Sequence, residues 1–177
     1  MTESLAGRRK MGTGLQVLTV VALLGSALNA GIFYTFSSFV MPGFARLTPE
    51  RGIAAMQAVN ITAVRAPFMS VLFGTALLCV VLAIWSLTSI GSPYWLFLLL
   101  GAVLYLVGTI GMTIFLHVPL NDALAVIDPA APDSAAQWAD YQSRWNAWNH
   151  VRWLTPLAAS ALFTAAAFAG RVAPTTT

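Results

Sequence analysis

The chain has 177 residues, 58% of them hydrophobic and 8% charged, where a soluble domain carries about 25% charged residues. So few charges cannot cover a water-facing surface, which excludes a soluble globule and leaves lipid as the main solvent. Nine Lys and Arg against six Asp and Glu give a net charge of +3, too thin and scattered for a nucleic-acid-binding face.

The length fits one domain. We divide the chain into an N-terminal tail at 1–13, a single membrane domain at 14–170 and a C-terminal tail at 171–177. The single cysteine, Cys79, permits no intramolecular disulfide and no CxxC metal site. It reads as a small buried hydrophobe.

Four apolar runs follow one another at 14–40, 66–90, 94–116 and 153–170. Each approaches the roughly 20 residues that a helix needs to cross a bilayer. Backbone in lipid must satisfy its own hydrogen bonds, so each run is expected to be a helix. Arg8, Arg9 and Lys10 precede the first run like the charged start of a signal peptide. The apolar stretch runs past any cleavage-like site, however, and three more follow, so it reads as a retained span. The expected fold is all-α: a four-helix transmembrane bundle, with a short amphipathic helix after span one and a helical cap before span four.

Gly91, Ser92 and Pro93 make a tight turn between spans two and three. The other two gaps are long and fall on one side of the membrane. The basic cluster at 8–10 puts both termini in the cytoplasm by the positive-inside rule, with the cap on the extracytoplasmic side of the cell membrane. Arg46, Arg51 and Arg65 in the first long gap argue the other way.

In that gap Thr48, Pro49 and Glu50 start a helix, and Ile53, Met56, Val59 and Asn60 recur on one face. In the second long gap Ser134 is the expected cap, with Gln137 as capping-box partner. Trp138, Tyr141, Trp145 and Trp148 then form an aromatic stripe, readable as an interfacial belt. Gln142, Asn146 and Asn149 form an amide stripe beside it, and His150 and Arg152 follow. Asp140 and Arg144 stand four apart as an ion pair. Pro156 marks the expected start of span four, as Pro67 does of span two.

Within the spans, Asn29 shares a face with Phe33 and Phe36, and Gly101, Tyr105, Gly108 and Met112 share another. Asn29 serves either an interhelical hydrogen bond or a ligand; the small residues serve helix packing. His117 ends span three and His150 opens span four. With Asp122 they contain the two histidines and one carboxylate used by non-heme iron, but without a local motif. Bonding to backbone or water, or action of one histidine as a general base, are the other readings.

Four segments resemble motifs of the anthrone oxygenase-like family of small four-helix membrane proteins. They are Gly31-Ile32-Phe33-Tyr34-Thr35-Phe36-Ser37-Ser38-Phe39-Val40-Met41-Pro42, Ala54-Ala55-Met56-Gln57-Ala58-Val59-Asn60, His117-Val118-Pro119-Leu120-Asn121 and Trp145-Asn146-Ala147-Trp148-Asn149-His150-Val151-Arg152. The last is the most specific. The family usually carries Asn where this chain has His117, so a metal site using both histidines would be peculiar to this chain.

The resemblance implies oxidation of an anthrone to an anthraquinone with O2 and no established cofactor. It implies His150 as the base, Asn149, Asn121 and Arg152 as oxyanion donors, and a slot for flat rings lined by Trp145, Trp148 and Phe36. Asn29, Phe33, Asn60 and Tyr105 complete the expected substrate contacts. The expected partners are the bilayer and a lipophilic small molecule. The alternative is a non-catalytic membrane protein that binds a lipid, quinone or partner helix. Transport ranks last, because no Asp, Glu or Lys stands at mid-span.

Overall fold

A computed structural model describes residues 10–171, which fold into five helices. Helix α1 is Thr13–Phe44, α2 is Pro49–Ala63, α3 is Ala66–Thr88, α4 is Trp95–Ala125 and α5 is Ser134–Ala169. All but α2 are long and apolar enough to cross a bilayer, and the chain is a multi-pass membrane protein. The outer faces agree: Leu24, Leu77, Val107 and Leu157 all point outward, a liability in water and a match for lipid. The basic cluster at 8 and 9 and the tail beyond 171 lie outside the described residues.

The expected turn joins α3 to α4, and its Gly91 takes φ +89°, a conformation in which a side chain is strained. Pro67 starts α3 as expected, and Pro49 starts α2 behind Thr48. At α5 the cap is Asp133, one residue before the expected Ser134. Gln137 bonds the Asp133 carboxylate at 2.5 Å, so it supports the helix start through this side chain instead.

Three helix boundaries depart from the sequence reading. Span one runs on through Met41-Pro42-Gly43 to Phe44, and span three runs past His117 to Ala125. The cap helix and span four are one unbroken helix of 36 residues, with Pro156 inside it. Proline in mid-helix removes the N–H that would bond the carbonyl of Arg152. The Thr155 hydroxyl donates to that carbonyl instead, at 3.1 Å, and so keeps the helix continuous.

The interior has two apolar cores. The first lies within the bundle and includes Ala22, Cys79, Leu82, Leu98, Tyr105 and Phe163. The second lies under α2 and joins Met41, Ile53, Met56, Leu124, Trp138 and Trp145. Gln57 of α2 donates to the carbonyls of Leu124 (2.9 Å) and Ile127 (3.0 Å), which ties α2 to the end of α4. Gly52 lets α2 approach: a Cβ there would stand 2.8 Å from the Trp138 indole. Helix α5 supplies one buried stripe to both cores, and between them sits a polar layer.

Candidate functional site

Three stretches of widened helix, on two of the spans, accompany the polar layer. Helix α1 is π-helical over Phe36–Val40, and α4 over Leu104–Gly111 and Thr113–His117. In an ordinary α-helix, residues four apart drift around the axis by about 40° per step. A π-helical turn holds more residues, so its drift runs the other way and offsets that of the α-helical turns beside it. Phe33, Ser37 and Met41 therefore follow one another inward on α1, and Tyr105, Thr109, Thr113 and His117 on α4. Such widened turns occur often at functional sites.

Arg152 is the one cation buried here, only 5% exposed. Its Nε and one terminal nitrogen donate to the Asn149 side-chain oxygen at 3.1 and 2.7 Å. The Asn149 Nδ2 donates in turn to the Phe33 carbonyl and the Ser37 hydroxyl, each at 2.8 Å. The guanidinium lies 4.2 Å from the Phe33 ring centroid and 5.3 Å from that of Trp145. Among the described residues the only ion pair joins exposed Arg144 and Asp140, so no carboxylate neutralises Arg152. A buried charge held by neutral groups is costly, and such residues are functional-site candidates by default.

His117 is 1% exposed and packs edge-on against Trp145, with ring centroids 5.3 Å apart. Its Nδ1 lies 3.2 Å from the Met112 carbonyl. A carbonyl only accepts, so Nδ1 carries the proton and Nε2 keeps its lone pair. That Nε2 is buried and makes no hydrogen bond among the described residues, although the Trp145 backbone also lies near the ring. Asn121 completes the layer, its side-chain oxygen accepting from the Tyr141 hydroxyl (2.9 Å) and the Trp145 indole N–H (3.1 Å).

The expected site residues divide into those in the layer and those outside it. Asn149, Arg152, Asn121, Phe33, Phe36 and Trp145 meet there, with Phe36 and Trp145 at 5.6 Å between ring centroids. Asn60 borders it with a buried, unpartnered Nδ2. Asn29 and Tyr105 form a second polar group deeper in the bundle. Asn29 donates to the Tyr105 hydroxyl, which donates to the Leu72 carbonyl, each at 3.0 Å. This is an interhelical hydrogen bond, although Asn29 Oδ1 is itself left without a partner.

His150 and Trp148 point outward instead. Trp148 is 44% exposed because a seven-residue repeat drifts by about 20° on a straight helix. The buried stripe thus passes from Trp145 to Asn149, and the buried Trp138, Tyr141 and Trp145 pack under α2 and do not form a belt. His117, His150 and Asp122 are not brought together: His150 and Asp122 are exposed, His117 is buried, and no metal-binding group forms among the described residues. Sequence reasoning missed Ser37 and the Phe33 carbonyl as partners of Asn149, and the inward turn of His117. The hydroxyl-rich run Thr35 to Ser38 was the only visible signal.

An open groove of about 660 Å³ adjoins the layer, lined by Leu120, Leu124, Ile127, Gln137, Tyr141 and Arg144 among others. Tyr141 is common to the groove and to the Asn121 hydrogen bonds.

The family described as Anthrone oxygenase matches residues 65–162, more than half of the chain. The chain belongs to this family. The matched segment contains the third and fourth motifs, with His117, Asn121, Trp145, Asn149 and Arg152; the motifs at 31–42 and 54–60 lie outside it. No curated protein and no solved structure matches the chain.

Proposed function

We propose that this chain oxidises a flat, lipophilic, enolisable ring ketone of the anthrone class with O2 at the polar layer. The observation that carries this reading is Arg152, buried between two aromatic rings without a carboxylate and oriented by Asn149. A ring CH2 beside a carbonyl system loses a proton and becomes an enolate. Arg152 stabilises the oxyanion, the aromatic rings hold the ring system, and Asn121 keeps Trp145 in place. The carbanion gives one electron to O2, and the radical and superoxide combine to a hydroperoxide on that carbon. Loss of its remaining C–H proton with the terminal oxygen releases water and leaves the second carbonyl. The balance is one CH2 and one O2 to one C=O and one H2O.

The family membership supports the same chemistry. We place the protein in the cell membrane with both termini cytoplasmic, taking its substrate from the bilayer. The test is O2 uptake and quinone absorbance by purified protein in detergent given anthrone. Wild type should exceed the spontaneous rate, and Arg152→Gln should lose about 100-fold, the scale of one oxyanion donor. Wild-type uptake at the spontaneous rate would overturn the proposal. The open groove beside Tyr141 favours the second reading in that event, a binder of lipid or quinone without turnover.

A further inference from the structure

We infer that His117 is the proton acceptor of this site, and that its ligand is an acidic aromatic bound as the anion between His117 and Arg152. The identity of the ring system rests on the oxygenase reading; ionisation on binding does not, because it needs no O2.

Three observations carry this. The widened turn Thr113–His117 points the imidazole inward, and the Met112 carbonyl fixes the proton on Nδ1. The free lone pair on Nε2 is then buried without a partner. A buried acceptor without a partner is destabilising, and a ligand O–H or acidic C–H would satisfy it. Finally, His117 and Arg152 both rest on Trp145, each 5.3 Å from its ring, so they are separated by at most twice that distance.

The step is a proton transfer. The ligand O–H or C–H bond breaks, its proton passes to Nε2, and the electron pair stays on the ligand as an oxyanion facing Arg152. The total charge of the site is unchanged, and the new anion lies between two cations. The charged group acting on His117 is Arg152 on α5, with Tyr141 of α5 tied to the layer through Asn121, while Asp122 on α4 is exposed. No carboxylate competes for either cation among these. His150, the other histidine, is exposed and has no hydrogen-bond partner among the described residues.

The experiment uses 2-hydroxyanthraquinone, an acidic ring phenol whose colour changes on ionisation. It is bound without O2 to the full chain in detergent, and the pH is varied. Wild type should bind the ionised dye, with its apparent pKa lowered by about one unit or more, a tenfold change in ionisation. His117→Asn and Arg152→Gln should each lose most of that shift, and Arg144→Gln, an exposed charge, should keep it. His117→Gln and Arg152→Lys serve if the first variants do not fold. Nitrogen NMR of the histidines should show one imidazole fixed with Nδ1 protonated.

A full shift in folded His117→Asn, its loss in His150→Ala alone, or a His117 Nε2 protonated before any ligand is added would each overturn the inference. Dye ionisation without O2 uptake from anthrone would support this inference while sinking the oxygenase reading. Uptake without ionisation would do the reverse.

Discussion

Asn149 holds Arg152 through a single amide oxygen that accepts two guanidinium N–H groups, at 3.1 and 2.7 Å. The holder is neutral, so it fixes the cation without cancelling its charge. An aspartate would accept the same two bonds and cancel the charge, but it would lose the donor that now meets the Phe33 carbonyl. Asn149→Asp should therefore be less stable than wild type and, where folded, bind an anionic aromatic at least tenfold more weakly, read by dye titration. Undiminished anion binding in that variant would show that Arg152 is not the anion's partner.

Gly52 is where α2 closes on α5. An added Cβ would come within 2.8 Å of Trp138. Overpacking of this kind costs about 1–3 kcal/mol. Gly52→Ala should lower the thermal midpoint in detergent and speed protease cleavage within α2. Gly31→Ala meets nothing within 4 Å and should stay within about 0.5 kcal/mol of wild type. Equal behaviour of the two variants would mean that α2 adjusts freely over Trp138.

The Tyr105 hydroxyl joins three helices, accepting from Asn29 of α1 and donating to the Leu72 carbonyl of α3. Tyr105→Phe should destabilise by about 1–3 kcal/mol, because the orphaned groups have no water to turn to. Adding Asn29→Leu should recover part of the loss, since an apolar pair strands fewer polar atoms. Thermal unfolding of the single and double variants checks this, and a simple sum of two losses would refute it.

Thr155 takes the place of the N–H that Pro156 lacks, and its hydroxyl also lies 3.2 Å from that of Thr109. Thr155→Val keeps the shape and loses both bonds. Its expected cost is about 1–3 kcal/mol, with Thr155→Ser close to wild type. An unchanged unfolding midpoint in Thr155→Val would indicate that the Arg152 carbonyl is satisfied some other way.

The four spans were legible because hydropathy over some 20 residues is a sum that no single residue spoils. The α2 helix was legible through Thr48, Pro49 and the spacing of Ile53 and Met56. The ion pair of Asp140 and Arg144 stood as expected, at 3.5 Å. Helix ends were harder. Pro42, Pro119 and Pro156 look like breaks, but all three lie inside long helices, since proline costs little near a π-helical turn or with a hydroxyl at hand. The widened turns were not legible, because the apolar spacing read along the spans assumes an ordinary α-helix. They decide which histidine faces inward, and nothing in the spacing showed that His117 is the buried one and His150 the exposed one. Asn149, Arg152 and Trp145 stood out because rare residues crowd into one short segment, and Asn121 through the separate motif at 117–121.

The 36 residues of α5 make a rod of about 54 Å, against a hydrocarbon thickness of about 30 Å. Pro156 is the one interior proline in this rod and the place where its backbone bonding is interrupted. Trp138 lies 18 positions away, about 27 Å along the axis. A swing of about 10° at the proline would therefore carry Trp138 roughly 5 Å. Anything that presses on α2 from outside the bilayer would thus be felt, through that arm, at the guanidinium of Arg152.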